Sequence, residues 1–312
     1  MKLALALLVG AAAGLLAATQ PIADTDLFWH LATARETLAH GLVRTDVFSW
    51  TVRGQPVAVD QWLGQLALYG AYLAAGWRGI AVLRVVLVAA LLALVVVNAA
   101  RSGRRPLAIV LAAMPALLLT RVVWVDRPEL MGLVCFAGLL PLLHVARAGS
   151  RAALAASVAL VALWANIHGS FALGAVLVVL VCLEGIVSDR ARRRDYAVAI
   201  AATALATIAT PAGIGTWTAP GIHLLSPPRD IQEWALIDPT TPLGVAYVAT
   251  LALVILCAFV GPRISRQDLV VLLPVAALSL TAARQAPLLA IAAAPLFSAS
   301  AERALRSVAR LG

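Results

Sequence analysis

Two aspartates spaced two apart, Asp24 and Asp26, follow directly on an apolar run, with His30 four residues beyond the second and Asp60 further along. Paired carboxylates can take the proton from a hydroxyl nucleophile, or contribute oxygen ligands to a divalent cation of the magnesium or manganese type. They also suit a helix N-terminus, where they complement the dipole. Arg127, Arg229 and Arg284 fall at the ends of apolar runs. A guanidinium there can grip a lipid phosphate bidentately, or it can snorkel to headgroups and pair with an acid such as Asp126, Glu129 or Asp230. Asn166 and His168 close another run, and Glu233-Trp234 lies in a loop. The histidine can donate to phosphate or sugar, and it serves equally well as a bond between helices.

The elements that must position these groups are membrane helices. Hydrophobic residues make up 62% of the chain and charged ones 12%, far from the roughly 45–50% and 25% of soluble domains. Runs long enough to cross ~30 Å of hydrocarbon recur at 3–19, 80–99, 106–121, 130–146, 152–167, 171–187, 196–210, 242–260, 268–282 and 286–299. The expectation is therefore a polytopic all-α transmembrane helix bundle of about ten spans, forming a single domain over 1–312. The first run resembles a signal peptide in its Lys2 and alanine–leucine content, but Ala17, Ala18, Thr19 and Gln20 make a poor cleavage site, so a retained helix is expected. Cys135, Cys182 and Cys257 all lie in apolar runs without metal-ligand spacing and read as core packing.

Charge sets the orientation. The net charge of +9 is almost wholly arginine. With the N-terminus inside, fifteen of the 24 basic residues fall on the cytoplasmic side, Arg190, Arg192, Arg193, Arg194 and Arg310 among them, while ten of the 15 acids fall outside. That distribution excludes a nucleic-acid partner and predicts two cytoplasmic termini in the inner membrane. All eight tryptophans map to outer loops or outer helix ends. A belt would populate both interfaces, so the one-sidedness points to an external binding surface as well.

Two outer loops, 20–79 and 211–241, are too long to be mere connections. In the first, Asp26 to His40 reads as an amphipathic helix ended by Gly41, with Leu27, Leu31, Ala34 and Leu38 as its apolar stripe. His30, Thr33, Thr37 and His40 join Asp26 on the polar one. A hairpin with Val47 to Val52 alternating and Arg53-Gly54 at its turn should follow, then Asp60 capping a helix from Gln61 to Ala75.

The stretch Asp24-Thr25-Asp26-Leu27-Phe28-Trp29-His30-Leu31, with Gly41, Thr45-Asp46-Val47-Phe48-Ser49 and Gln61-Trp62-Leu63, resembles the first external loop of bacterial glycosyltransferase-like membrane proteins of the GT-C superfamily. Arg127-Pro128, Trp164-Ala165-Asn166-Ile167-His168-Gly169-Ser170-Phe171, Glu233-Trp234 and Arg284-Gln285-Ala286-Pro287 resemble further patches of that group. Where relatives usually carry a glutamate before the tryptophan of the second-helix motif, here Trp62, Gln61 stands in its place, with Asp60 one residue earlier.

The resemblance implies an enzyme that moves a sugar from a polyprenyl-phosphate carrier to a lipid or glycan acceptor outside the cytoplasm. Asp24 or Asp26 would be its base, assisted or not by a divalent cation. His30, Asp60, Arg127, Asn166, His168, Glu233, Trp234 and Arg284 would line the donor site. A transporter or flippase of a lipid-linked saccharide, and a non-catalytic envelope scaffold on the same fold, stand as alternatives.

Overall fold

The computed structural model describes residues 1–309, so Arg310 lies outside the described residues. Every regular element among them is helical: α1 (Lys2–Ala18), α2 (Asp26–His40), α3 (Trp62–Ala99), α4 (Pro106–Thr120), α5 (Pro128–Arg147), α6 (Arg151–Trp164), α7 (Phe171–Ser188), α8 (Arg193–Ile208), α9 (Thr218–Leu225), α10 (Pro242–Val260), α11 (Arg266–Ser279) and α12 (Ala286–Val308). Local signals start many of them. Proline occupies the first turn of α4, α5, α10 and α12, where its missing N–H costs nothing. The hydroxyls of Ser150, Thr241 and Ser265 accept from amides of the first turns of α6, α10 and α11.

Each expected apolar run is helical, but length separates them. Among the described residues six segments are long and apolar enough to cross a membrane: Trp62–Ala99, Pro106–Val123, Pro128–Arg147, Phe171–Ser188, Pro242–Val260 and Ala283–Val308. Arg190–Ile208 with Gly213–Ile222, bent by 97°, makes a seventh if the pair is taken as one span. The helices α6 and α11 stop after 14 residues and α1 after 17, about 21 and 26 Å at 1.5 Å per residue, so three of the ten expected runs fall short of a ~30 Å core. Among the described residues the protein is thus all-helical, with six or seven candidate spans.

Two compact units form. The first comprises Met1–Ala17, Val86–Trp124 and Pro228–Gly312, the second Ala18–Val85 and Val125–Pro227. In the first, α4, α10 and α11 pack on α12, whose Ala290, Ile291, Ala293 and Ala294 are buried small or branched residues that let neighbouring helices approach. Glu302 accepts from the backbone amides of Arg104 (3.1 Å) and Arg105 (2.8 Å), fastening the turn before α4 to α12. In the second, α5 packs on α6 and α7, and α7 on α8. A Cβ at Gly185 would come within 2.7 Å of the Tyr196 ring, so glycine is what allows the α7–α8 contact. All three cysteines are buried and free, as core packing requires.

Three expectations for the first loop need correction. The hairpin is reduced to one antiparallel bridge, Thr45 with Pro56, and Val47 to Val52 form no strand. The Asp46 carboxylate captures the amides of Phe48 (2.9 Å) and Ser49 (2.7 Å) and the Ser49 hydroxyl (2.6 Å), curling that segment into a loop. Next, α2 does not bury its apolar stripe alone. His30 and Thr33 are buried beside Leu27, Leu31 and Ala34, while Leu38 is exposed. Third, the α3 amide of Leu63 is satisfied by the Asn166 carbonyl at 3.0 Å rather than by Asp60. The expected break after Ala75 is present, because Ala75 and Gly76 leave helical geometry inside α3, Gly76 with a φ of 59°.

Candidate functional site

The first-loop acids are organised by one guanidinium. Arg127 precedes Pro128 in extended conformation, as the residue before a proline tends to be, which presents its side chain to the start of α2. Its Nε and Nη2 donate to the two oxygens of Asp24 at 2.5 and 2.9 Å, and its Nη1 lies 3.1 Å from Asp26 Oδ2. Asp24 Oδ1 also accepts the Asp26 amide at 3.0 Å. The side chain of Asp24 is 6% exposed and that of Asp26 56% exposed. Asp24 is therefore a buried anchor, and Asp26 keeps an open carboxylate face.

Beneath this cluster lies a second pair that sequence reading passed over, naming Asp126 only as a possible partner for a nearby arginine. Arg84, inside α3, meets Asp126 at 3.0 Å, with both side chains almost fully buried. Its Nη2 donates to the carbonyl of Gln20 (2.6 Å) and its Nη1 also to that of Pro21 (3.1 Å), while its Nε is buried without a partner among the described residues. One arginine thus ties the segment leading into Asp24 to the residue preceding Arg127. Burial pushes the Asp126 carboxyl up to about 6, against the pull of Arg84. The only advance sign of this pair was an arginine in the middle of an apolar run, which is rarely placed without a partner.

His30 sits one turn after Asp26 and is buried. Burial holds its imidazole down to about 4 despite the nearby Asp26 carboxylate, so it is neutral near pH 7. Its Nδ1 is 3.4 Å from Gln65 Nε2. Gln65 in turn lines a cavity of about 210 Å³, together with Trp29, Thr33, Thr37, Val57, Val59, Asp60, Gln61 and Trp62. Asp26, Trp29, Thr33 and Thr37 follow helical spacing along one stripe of α2, so the open carboxylate and the cavity wall share a face. Burial raises the Asp60 carboxyl, which accepts from its own amide and from the Gln61 side chain.

Asn166 and His168 border this region. Asn166 Oδ1 accepts from Trp62 Nε1 at 2.9 Å, and its carbonyl holds the start of α3. His168 Nδ1 is 2.7 Å from the Ser170 hydroxyl, which also accepts from Trp164 Nε1. Both residues brace the cavity wall and the turn into α7; neither lines the cavity.

Glu233, Trp234 and Arg284 come together in the other unit. Arg284 Nη1 donates to Glu233 at 2.9 Å, and its guanidinium lies 4.4 Å from the Trp234 ring centroid. Arg229 donates to the carbonyls of Trp234 and Thr281. Arg284 is thus already charge-paired and stacked, whereas the expectation was a phosphate ligand. The tryptophans also divide: Trp124 and Trp164 are core residues, and Trp29, Trp50 and Trp77 are exposed.

The chain matches no family model, no curated protein and no solved structure. Its chemistry must be read from the site alone. Among the described residues no group of three His, Cys, Asp or Glu side chains could hold a metal ion. Both oxygens of Asp24 already face Arg127, so a cation at the acid pair would have to displace a guanidinium. These residues fit a proton-accepting carboxylate better than a resident metal.

Proposed function

We propose that the chain is a membrane glycosyltransferase of the GT-C type that transfers a sugar from a polyprenyl-phosphate donor to a lipid or glycan acceptor on the non-cytoplasmic side, with the short helices α1, α6 and α11 also crossing and both termini in the cytoplasm. The observation that carries this reading is the open Asp26 carboxylate, held by Arg127 on the same helical stripe as an aromatic and polar cavity. At about 210 Å³ the cavity is smaller than the ~300–1,000 Å³ sites of drug-sized ligands, which suits one sugar ring. Trp29 and Trp62 offer apolar faces, while Thr33, Thr37, Asp60, Gln61 and Gln65 offer hydroxyl-binding groups.

In this mechanism the acceptor oxygen bonds to the anomeric carbon as the carbon–oxygen bond to the carrier phosphate breaks. The electron pair leaves with the phosphate, and the acceptor proton passes to Asp26. Asp24 acts as a positioning residue that fixes Arg127. Neutral His30 adds no second positive charge beside the Arg127 guanidinium that already faces the base.

Single-turnover transfer from a labelled polyprenyl-phosphate sugar tests the assignment. Asp26→Asn should slow transfer by ~10²–10⁴-fold, the usual loss on removing a general base, with carrier binding retained. Transfer by Asp26→Asn at the wild-type rate would exclude it.

A further inference from the structure

Among the described residues one charged group lines the cavity beside α2, the half-buried Asp60, and no arginine, lysine or histidine does. Asp60 stands just ahead of α3, where an acid commonly caps a helix. It does not cap this one. The Leu63 amide is taken by the Asn166 carbonyl, and the Asp60 carboxyl accepts from its own amide and from the Gln61 side chain. Towards its Oδ2 lies Gly169, where even an added Cβ would be 3.8 Å away. Burial raises this carboxyl, and no neighbouring cation pulls it back down. A carboxylate has about four lone-pair sites, so roughly two are left for a ligand.

Most of the donors around Asp60 are already committed. Thr33 Oγ1 donates to the Trp29 carbonyl and Trp62 Nε1 to Asn166 Oδ1, both at 2.9 Å, while Gln61 donates to Asp60. Gln65 Nε2 lies 3.4 Å from Nδ1 of neutral His30, which can accept there. Four of the six lining side chains able to donate thus do so within the protein. What they leave for a ligand is oxygen: the Asp60 carboxylate, the Thr33 hydroxyl and the carboxamide oxygens of Gln61 and Gln65. Trp62, its N–H committed, has a ring face to offer, and Trp29 adds a second ring, packed edge-on against Phe48. A sugar hydroxyl both donates and accepts, so a cavity built for hydroxyls alone would present both kinds of group. An ammonium group donates three bonds and accepts none. Its charge matches a half-buried carboxylate that has no counter-ion, and indole faces attract it.

We infer that the cavity recognises a protonated amino group on the transferred sugar, with Asp60 as its counter-ion and the Trp29 and Trp62 rings beside it. The inference rests on the transfer reading, in which this cavity holds the sugar ring of the donor, and adds the substrate class, an amino sugar. Asp60 is then a specificity residue, separate from the base Asp26, which does not line the cavity.

The test measures binding without transfer, by saturation-transfer NMR on the purified full chain in nanodiscs at about pH 6.5, where such amines are protonated. The probes are methyl pyranosides with one amino group, at C2, C3 or C4, each compared with its neutral hydroxyl parent and its N-acetyl derivative. At least one amino probe should bind ~10-fold or more tighter than its parent, the scale of a hydrogen bond to a charged partner, and N-acetylation should remove that advantage. Asp60→Asn should erase the difference between amine and parent, and Asp26→Asn should keep it. Equal affinity of amine and parent at all three positions, a preference that survives Asp60→Asn, or one lost in Asp26→Asn instead would overturn the inference and leave the transfer reading standing. If no pyranoside binds, amino or neutral, the cavity is not the sugar site and the transfer reading falls with it. Should Asp60→Asn not yield monodisperse protein, the wild-type comparison of amine, parent and N-acetyl derivative decides by itself.

Discussion

Removing Arg84 is the sharpest perturbation of the architecture behind the acid pair. Its guanidinium and the Asp126 carboxylate are 3% and 2% exposed, and Arg84 also satisfies two carbonyls before α2. Arg84→Met would leave the carboxylate buried without its counter-charge, a change that costs ~3–5 kcal/mol. The cost depends on pH, and the direction follows from Asp126. Its folded value of about 6 lies above the ordinary 3.8, so this group favours the folded state below pH ~4 and loses that contribution as pH rises through about 6. At pH 8 the mutant must either keep a buried charge or hold a proton against the solution. At pH 5 Asp126 is already largely neutral, and the loss should shrink to about 1–2 kcal/mol, what unsatisfied Gln20 and Pro21 carbonyls cost. Arg84→Met/Asp126→Leu should recover much of the stability at pH 8, because apolar replacements of a buried pair are often neutral. Reversible denaturation in detergent at the two pH values measures all three variants. A single mutant that loses under ~1 kcal/mol at pH 8, or equally at both pH values, would refute the reasoning.

Arg127→Lys should weaken the loop although charge is kept, since an ammonium cannot span Asp24 and Asp26 together; faster amide exchange at the start of α2 is the expected reading. His30, held at about 4 by burial, should give a flat NMR titration between pH 5 and 8; it contributes stability present above pH ~6.5 and lost as pH falls through about 4. Glu302→Gln should lower the thermal unfolding midpoint, because it loses the charged acceptor for two backbone amides; an unchanged midpoint would contradict this. For topology, an impermeant thiol reagent applied to intact cells, after outer-membrane permeabilisation if needed, should label Arg53→Cys and Arg229→Cys. It should spare Arg194→Cys and the three buried native cysteines; labelling at 194 would reverse the orientation.

The positions of the helices were legible in the sequence, because a run of apolar side chains without charge has few alternatives to a helix that satisfies its own backbone. Local chemistry was legible for the same reason: the end of α2 at Gly41, the break after Ala75 and the proline starts each depend on residues a turn apart. Span count was less so, since α1, α6 and α11 are apolar yet shorter than a full span, and only the turn that follows α6 at Asn166 to Gly169 shows where it stops. What the tertiary structure alone decided is who neutralises whom. Asp24 finds Arg127 across 103 positions and Arg84 finds Asp126 across 42; no periodicity encodes such a pairing. Burial of His30 was likewise hidden, for α2 carries a polar stripe that any solvent-facing helix would carry, and only its packing turned His30 and Thr33 inward. A charge in low dielectric must be matched by whichever opposite charge the fold brings near, and that choice belongs to the packing of helices distant in sequence.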